Sequence, residues 1–531
     1  MLNFCPYEGV LGKQEFRKLQ EDNLAYELVF MKGHSLAELK NTVIGDAKYI
    51  EKDEKREKTY MDTSVRYILK AADFPGEKSG IQKLLETIDK SKENTIIAPQ
   101  TTSTDVGVLQ RSSVKTGGKK LEYEKTEDGY YVFSYVATGD TDGEMLMWAY
   151  PCCPSCHGRL PKGWFSADAF CPIDFMGGTG SGKTTLLLSL IANDWSSLKK
   201  SKGKEWKIIP AHEKSKGDDF WYTNYVEMAE NMTKKTSQRQ VCYCPGNTQT
   251  EKWVSPVFLR ATYKGKKIIV GLYDNSGETH QNYTTRDAKV LVLSNMFAHI
   301  YLIEPSQMQV SLPKKKTSEK KETVSEVTIM SIEEQGKFQE EHYGEVIFAE
   351  TLLQENVAKT QRVQKETDAF NILFGYQDFM DEIGKTEKMA EQHVCLTIIK
   401  SDLLEKVDEI KNSDFASVLF ANTTCGNVLE NQAAREYLLE ELFDEFVFTG
   451  EEQKDLLNEF ESSSYHLVSA LGCDTDLQEV YVDVASLESG KRVVNKKSIG
   501  EKAVLLGDFA PLRVAEPIMT CLQAFVEKNE W

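Results

Sequence analysis

Apolar and polar positions change period near Cys171, and that change divides the chain. Ahead of it, DTSVRYILKAAD (62–73) and IQKLLETIDK (81–90) space their apolar residues three and four apart, which predicts amphipathic helices. Ser35-Leu-Ala-Glu38 spells a helix capping box before another such stretch. Residues 1–96 are therefore expected to form a helical packing or interaction region. Residues 97–120, rich in Thr, Ser, Gly and Lys, read as a linker. In LEYEKTEDGYYVFSYV two strand-like runs flank Asp128-Gly129, a hairpin signal, and EMLMWAY fits a third strand. Residues 121–170 are expected as a small, cysteine-bearing β module.

From Cys171 onward apolar strands alternate with helices, the pattern of an α/β sheet covering 171–531. PIDFM reads as a strand and TTLLLSLI as a buried helix. VFLRATY and KKIIVGLYD flank Lys264-Gly265 as a hairpin. HVCLTII and SSSYHLV read as further strands. Two insertions are expected, at about 195–245 and about 313–345. The second carries KKKTSEKKETVSE, a charged, solvated stretch. No repeat with a period of 20–50 residues is visible.

Composition narrows the classes. A chain of 531 residues is expected to hold about three or four domains. With 40% apolar and 27% charged residues it is globular rather than disordered. A net charge of −18 argues against a broad nucleic-acid or anionic-membrane footprint. The stretch MLNFCPYEGVLGKQEFRK has no long apolar run behind a basic start, so no targeting segment is expected. The longest apolar runs fall far short of the ~18 residues of a membrane helix. Eleven cysteines, an odd number with several inside apolar runs, suggest reduced thiols and a cytoplasmic protein.

The strongest chemical signal is Gly177-Gly178-Thr179-Gly180-Ser181-Gly182-Lys183-Thr184-Thr185, which fits G-x-x-x-x-G-K-[ST]. Glycines let successive backbone N–H groups curl around an anion, and the helix that follows adds the positive end of its dipole. Lys183 is expected on the β- and γ-phosphates of a nucleoside triphosphate, and Thr184 on Mg²⁺.

Three further segments follow in order. Asp274-Asn-Ser-Gly277 closes a strand in the D-x-x-G form, with Asp274 expected to hold Mg²⁺ through water and Gly277 to sense the γ-phosphate. Lys400-Ser401-Asp402 stands where guanine-selective proteins carry [NT]-K-x-D; the carboxylate accepts two hydrogen bonds that adenine cannot offer. Asp402-Leu-Leu-Glu405 also spells a helix cap, which is the competing reading. Ser469-Ala470-Leu471 fits a turn whose N–H supports the guanine oxygen. Ahead of the D-x-x-G segment, Thr250 and, second, Thr248 are candidates for Mg²⁺ ligation and γ-phosphate sensing.

GGTGSGKTT, DNSGE, IKSD and SAL together make the chain resemble the translation-factor-related class of P-loop GTPases over about 171–530. CCPSCHGRLP, IYLIEP and LRVAEPIMTCLQAFV resemble bacterial double-GTPase-type proteins of multi-gene conflict systems. The resemblance implies a P-loop three-layer sandwich: a mostly parallel sheet with one antiparallel strand, helices on both faces and nucleotide at the strands' C-terminal ends. It implies Mg²⁺-dependent GTP hydrolysis and protein partners reached through the N-terminal region and the switch loops, with self-association a further expectation. Ile399 stands where the class carries Asn or Thr. Glu278 stands where it often carries a water-orienting glutamine. With Glu278 or His280 in that role, intrinsic turnover is expected to be slow. The competing functions are a P-loop ATPase or small-molecule kinase, and a nucleotide-binding scaffold without turnover.

Cys153-Pro-Ser-Cys156-His157 looks like half a zinc knuckle. Cys171 is the nearest downstream cysteine, and Cys152, Cys5 or the Cys242/Cys244 pair are alternatives for completing a structural zinc set. Reduced, metal-free thiols are the competing reading.

Overall fold

The structure is a computed structural model that describes Pro6 and residues 25–30, 50–52, 67–69, 97–102, 109–116, 119–125, 131–137, 147–153, 158–193, 195, 205–211, 220–235, 241–245, 256–275, 277–281, 292–308, 369–413, 428–488 and 491–531. In its first part the described elements are all strands: β1 (Ala25–Phe30), β2 (Ile50–Lys52), β3 (Tyr67–Leu69), β4 (Ile97–Thr102), β5 (Leu109–Thr116), β6 (Lys119–Lys125), β7 (Tyr131–Ala137) and β8 (Met147–Cys152). They form two antiparallel four-stranded sheets, ordered β2-β3-β1-β8 and β4-β5-β6-β7.

This corrects two expectations. The helix predicted over DTSVRYILKAAD contains strand β3, which pairs with β1 and β2. Tyr-Ile-Leu is as good a strand former as a helix former, and partners distant in sequence decided the outcome. The expected linker at 97–120 carries β4, β5 and the start of β6. Its Thr, Ser and Val residues suit a pleated surface as well as a loop. The hairpin strands around Asp128-Gly129 and the strand in EMLMWAY are present as β6, β7 and β8. The predicted helical stretches at 35–38 and 81–90 lie outside the described residues.

The second part runs β9 (Ala169–Met176), α1 (Lys183–Ala192), β10 (Trp206–Pro210), α2 (Phe220–Thr233), β11 (Val257–Tyr263), β12 (Lys266–Tyr273), α3 (Gly277–Gln281), β13 (Ala298–Ile303), α4 (Asn371–Glu382), β14 (His393–Ile399), α5 (Asp408–Lys411), α6 (Val428–Phe446), α7 (Glu451–Asn458), β15 (Ser462–Val468), β16 (Thr475–Glu488), β17 (Lys491–Leu505) and α8 (Glu516–Lys528). Seven strands make one sheet in the order β10-β11-β12-β9-β13-β14-β15. From β12 to β15 every pairing is parallel, while β11 is antiparallel to both β10 and β12. The fold is thus mixed α/β with a mostly parallel sheet and one reversed strand. The first expected insertion, 195–245, contributes β10 to this sheet and so is partly integral to it. The second, 313–345, lies outside the described residues.

The sheet's core follows from strand alternation. Cys171, Ile173 and Phe175 of β9 face one side, where they join Leu186, Leu187 and Leu190 of α1 and Ile518 and Leu522 of α8 in a single apolar cluster. Asp174 faces the other side, towards His280 of α3 and His299 of β13, and the His299 ring packs against Tyr376 of α4 with centroids 4.7 Å apart and planes tilted by 59°. Each fully buried large apolar side chain contributes about 1.5–3 kcal/mol. Between β11 and β12 the two-residue turn holds Lys264 at φ 45° and Gly265 at φ 87°, matching the twist of a tight hairpin. β16 and β17 form a separate long ribbon with Leu477 and Tyr481 exposed. Among the described residues no helix is long and apolar enough to cross a membrane.

Candidate functional site

The parallel strands deliver their C-terminal ends to one edge of the sheet, and the motif segments follow those ends. β9 leads into Gly177–Gly182 and then α1, β12 into Asp274, β14 into Lys400–Asp402, and β15 into Ser469–Leu471. A cavity of about 360 Å³ lies among them, lined by Thr179, Gly180, Gly182, Lys183, Thr184, Thr185, Gly277, Lys400, Asp402, Ser469, Ala470 and Leu471. Segments almost three hundred residues apart in sequence thus share one space.

At the phosphate-loop end, Lys183 is buried and its Nζ donates to the carbonyls of Gly177 at 2.7 Å and Gly178 at 2.9 Å. Gly182 sits at φ +91°, a conformation unfavourable for other residues, and an added Cβ would lie 2.9 Å from Ile399 Cδ1. Gly277 is held for a different reason: a Cβ there would come within 2.2 Å of the Thr179 nitrogen. The Thr184 hydroxyl donates to Asp274 Oδ2 at 2.8 Å, while Asp274 Oδ1 is buried without a hydrogen-bond partner among the described residues.

Burial dominates the electrostatics here. It lowers the Lys183 pKa to about 8, against the attraction of Asp274, Asp174 and Glu304. It raises the Asp274 carboxyl to about 6, against the Thr184 hydrogen bond and the Lys183 charge. Asp174 behaves oppositely: although burial resists ionisation, His280 and His299 hold it well below the usual carboxylate range.

At the other end, Lys400 stands at φ 58° and its Nζ pairs with Glu304 Oε2 at 2.7 Å. Residues 401–406 form a 3-10 helix whose N-cap is Lys400, without a side-chain cap. The capping role considered for Asp402 is therefore not taken up. Its Oδ1 instead accepts the Ser469 hydroxyl at 2.5 Å, and Ser469 Oγ in turn accepts the Gly472 N–H at 3.0 Å. The apolar Ile399 side chain lies over Gly182, where only the absence of a Cβ gives it room. The Ser189 hydroxyl of α1 donates to the Ala470 carbonyl and ties the two ends together.

Some candidates fall elsewhere. Thr248 and Thr250 lie outside the described residues, as does the side chain of Glu278, the second residue of α3. His280 is buried, with Nε2 3.0 Å from Asp174 Oδ2, and does not line the cavity. Cys153 is buried and its N–H donates to the Gly158 carbonyl at 2.9 Å, while Cys5, Cys156 and His157 are outside the described residues. Cys171 sits in the apolar cluster, where burial pushes its thiol well up. Sequence reasoning missed Asp174, His299 and Glu304. Each is a polar residue inside or at the end of an apolar strand, the one signal that could have marked them.

No family model and no curated protein sequence matches this chain.

Proposed function

We propose that the chain is a Mg²⁺-dependent GTP-binding and slowly GTP-hydrolysing switch built on a P-loop sandwich. One observation carries the reading: a single cavity joins a glycine-lysine loop at one end to an oriented aspartate at the other. The resemblance over about 171–530 points the same way.

The residues fit the groups. Lys183 is already aimed across the loop, bonded to two of its carbonyls, so its charge is preorganised for a polyphosphate. Thr184 and Asp274 offer the hard oxygen donors that Mg²⁺ prefers, and the unpartnered Asp274 Oδ1 leaves an acceptor free for a metal-bound water. When bound, the ion would draw charge off the β- and γ-phosphate oxygens. Asp402, steadied by Ser469, keeps lone pairs free on its carboxylate for the N1 and N2 donors of guanine. Gly277, pressed against Thr179 of the loop, is the proposed γ-phosphate sensor, since an arriving phosphate would part the two segments. Turnover is proposed to be slow, since His280 is committed to Asp174. Glu278 and Thr250 remain the proposed water-orienting and metal-sensing residues, and protein partners the proposed readers of the switch.

Titration of the Mg²⁺-loaded protein with fluorescent GTP and ATP analogues tests this. Guanine preference that Asp402→Asn transfers to xanthosine triphosphate is the expected result. Equal uptake of GTP and ATP would leave only a P-loop ATPase or kinase; uptake without single-turnover hydrolysis would leave a scaffold.

A further inference from the structure

At the opposite end of β14 and β15 lies a second cluster that nucleotide binding does not use. His393 and Cys395 project from β14, Ser464 and His466 from β15 and Cys521 from α8, all buried. One ring nitrogen of His393, Cys395 Sγ and Cys521 Sγ offer ligand atoms that lie within 4.8 Å of one another. The two sulfurs are 3.3 Å apart, longer than the ~2.05 Å of a disulfide. In a tetrahedral zinc site, bond lengths of about 2.3 Å to sulfur and 2.0–2.1 Å to nitrogen put ligand atoms roughly 3.5–3.8 Å apart. The cluster needs only sub-ångström to ångström adjustments to reach that geometry.

Its surroundings are those of a ligand shell. His393 Nδ1 lies 2.8 Å from Ser462 Oγ; donating there leaves the Nε2 lone pair facing the cluster. The Ser464 hydroxyl sits 3.1 Å from His393 Nε2, 3.2 Å from Cys395 Sγ and 3.0 Å from His466 Nε2, at the centre of three possible donors. His466 Nδ1 is buried with no hydrogen-bond partner among the described residues. Two thiols, two imidazoles and the Ser464 hydroxyl, all buried, make an expensive arrangement if left to each other.

We propose that His393, Cys395, Cys521 and His466 form a structural site for a thiophilic divalent cation, zinc above all. Cys395 and Cys521 bind as thiolates, and His466 Nε2 takes the fourth position once the Ser464 hydroxyl turns aside. The ion pins α8 to the two strands whose far ends carry Asp402 and Ser469. It is distinct from the cysteine knuckle ahead of β9.

Metal analysis of the purified full-length chain, followed by replacement with Co²⁺ and absorption spectroscopy, tests this. About one zinc per chain in this site is expected, with the thiolate charge-transfer and visible bands of tetrahedral cobalt. Cys521→Ser should abolish those bands or cut them sharply, and His393→Asn should weaken them. Cys153→Ser with Cys156→Ser should leave them in place. Wild-type protein with under about a tenth of an equivalent and no cobalt bands would overturn the proposal. So would metal that survives Cys521→Ser and leaves with the Cys153 and Cys156 changes. An intact mass revealing a Cys395–Cys521 disulfide in metal-free protein would also overturn it.

Discussion

The two ends of the cavity use opposite physics. At the phosphate-loop end, charge is buried: Lys183 and Asp274 are 6% and 4% exposed, and both have pKa values displaced toward neutrality. At the Asp402 end, charge is wetter. The Lys400 side chain is 42% exposed, and orientation comes from a short relay, Gly472 to Ser469 to Asp402. A buried lysine in a low-dielectric loop gives strength to any polyphosphate without choosing among bases. A steadied carboxylate near solvent adds less affinity and more choice, because selectivity needs only a difference between partners. On the proposed function, affinity and identity are thus separable.

The severest test of that separation is Lys183→Ala. Hydrogen bonds to charged groups are worth about 1.5–3 kcal/mol each, so losing the β- and γ-phosphate contacts should weaken GTP by roughly 150-fold or more, and losing the β contact alone should weaken GDP by roughly tenfold or more. Calorimetry should register this with guanine preference intact in whatever binding remains. Asp402→Asn should act the other way round. A loss of about 10- to 100-fold for GTP is expected, with a gain for xanthosine triphosphate and little change for inorganic triphosphate. If both variants lost all nucleotides equally, the two ends would not be separable.

A smaller effect should come from pH. The folded Asp274 pKa of about 6 lies above its ordinary 3.8. Protonation therefore favours the folded, metal-free protein. This contribution is fully present below about 3.8 and is lost as pH rises through about 6. Mg²⁺ needs the carboxylate, so its apparent affinity should fall about tenfold per unit below pH 6, measured by Mg²⁺ titration with a fluorescent nucleotide. Discrimination between GTP and ATP should stay flat over the same range. The mildest change is Ile399→Val, which thins the contact between the two ends. About 0.5–1.5 kcal/mol of stability should be lost in urea unfolding, with selectivity unchanged.

What could be read before the fold was known follows the same division. Gly177–Thr185 is contiguous, so its motif lies open in the sequence, and β9, β11, β12, β14 and β15 announce themselves as apolar runs, while β10 falls inside the expected insertion. The meaning of Asp402 is ambiguous in the sequence because a helix cap and a base reader share the same local spelling; its partner Ser469 stands 67 residues on, beyond any local pattern. Asp174, His280 and His299 come from three separate elements, so no local pattern could unite them. Cys395 and Cys521 are 126 residues apart inside apolar runs, where they read only as reduced thiols, whereas Cys153-Pro-Ser-Cys156 has the local spacing of a metal knuckle. β1 to β5 fall where spacing predicts helix and linker, because short strands owe their existence to partners across the sheet, which spacing along the chain does not encode.

One feature of the ribbon sets a limit on the threonines that precede it in the chain. Cys244 N–H donates to Ala503 O at 2.8 Å and Leu505 N–H to Cys242 O at 3.0 Å, so residues 242–244 lie alongside β17 like a short extra strand. Pro245, next in line, borders the cavity that Thr184 also borders. From that anchor Thr248 is three residues away and Thr250 five, a tether of at most about 11 Å and about 18 Å. Those covalent spans, measured from Pro245 at the cavity's border, bound how far either threonine can lie from it.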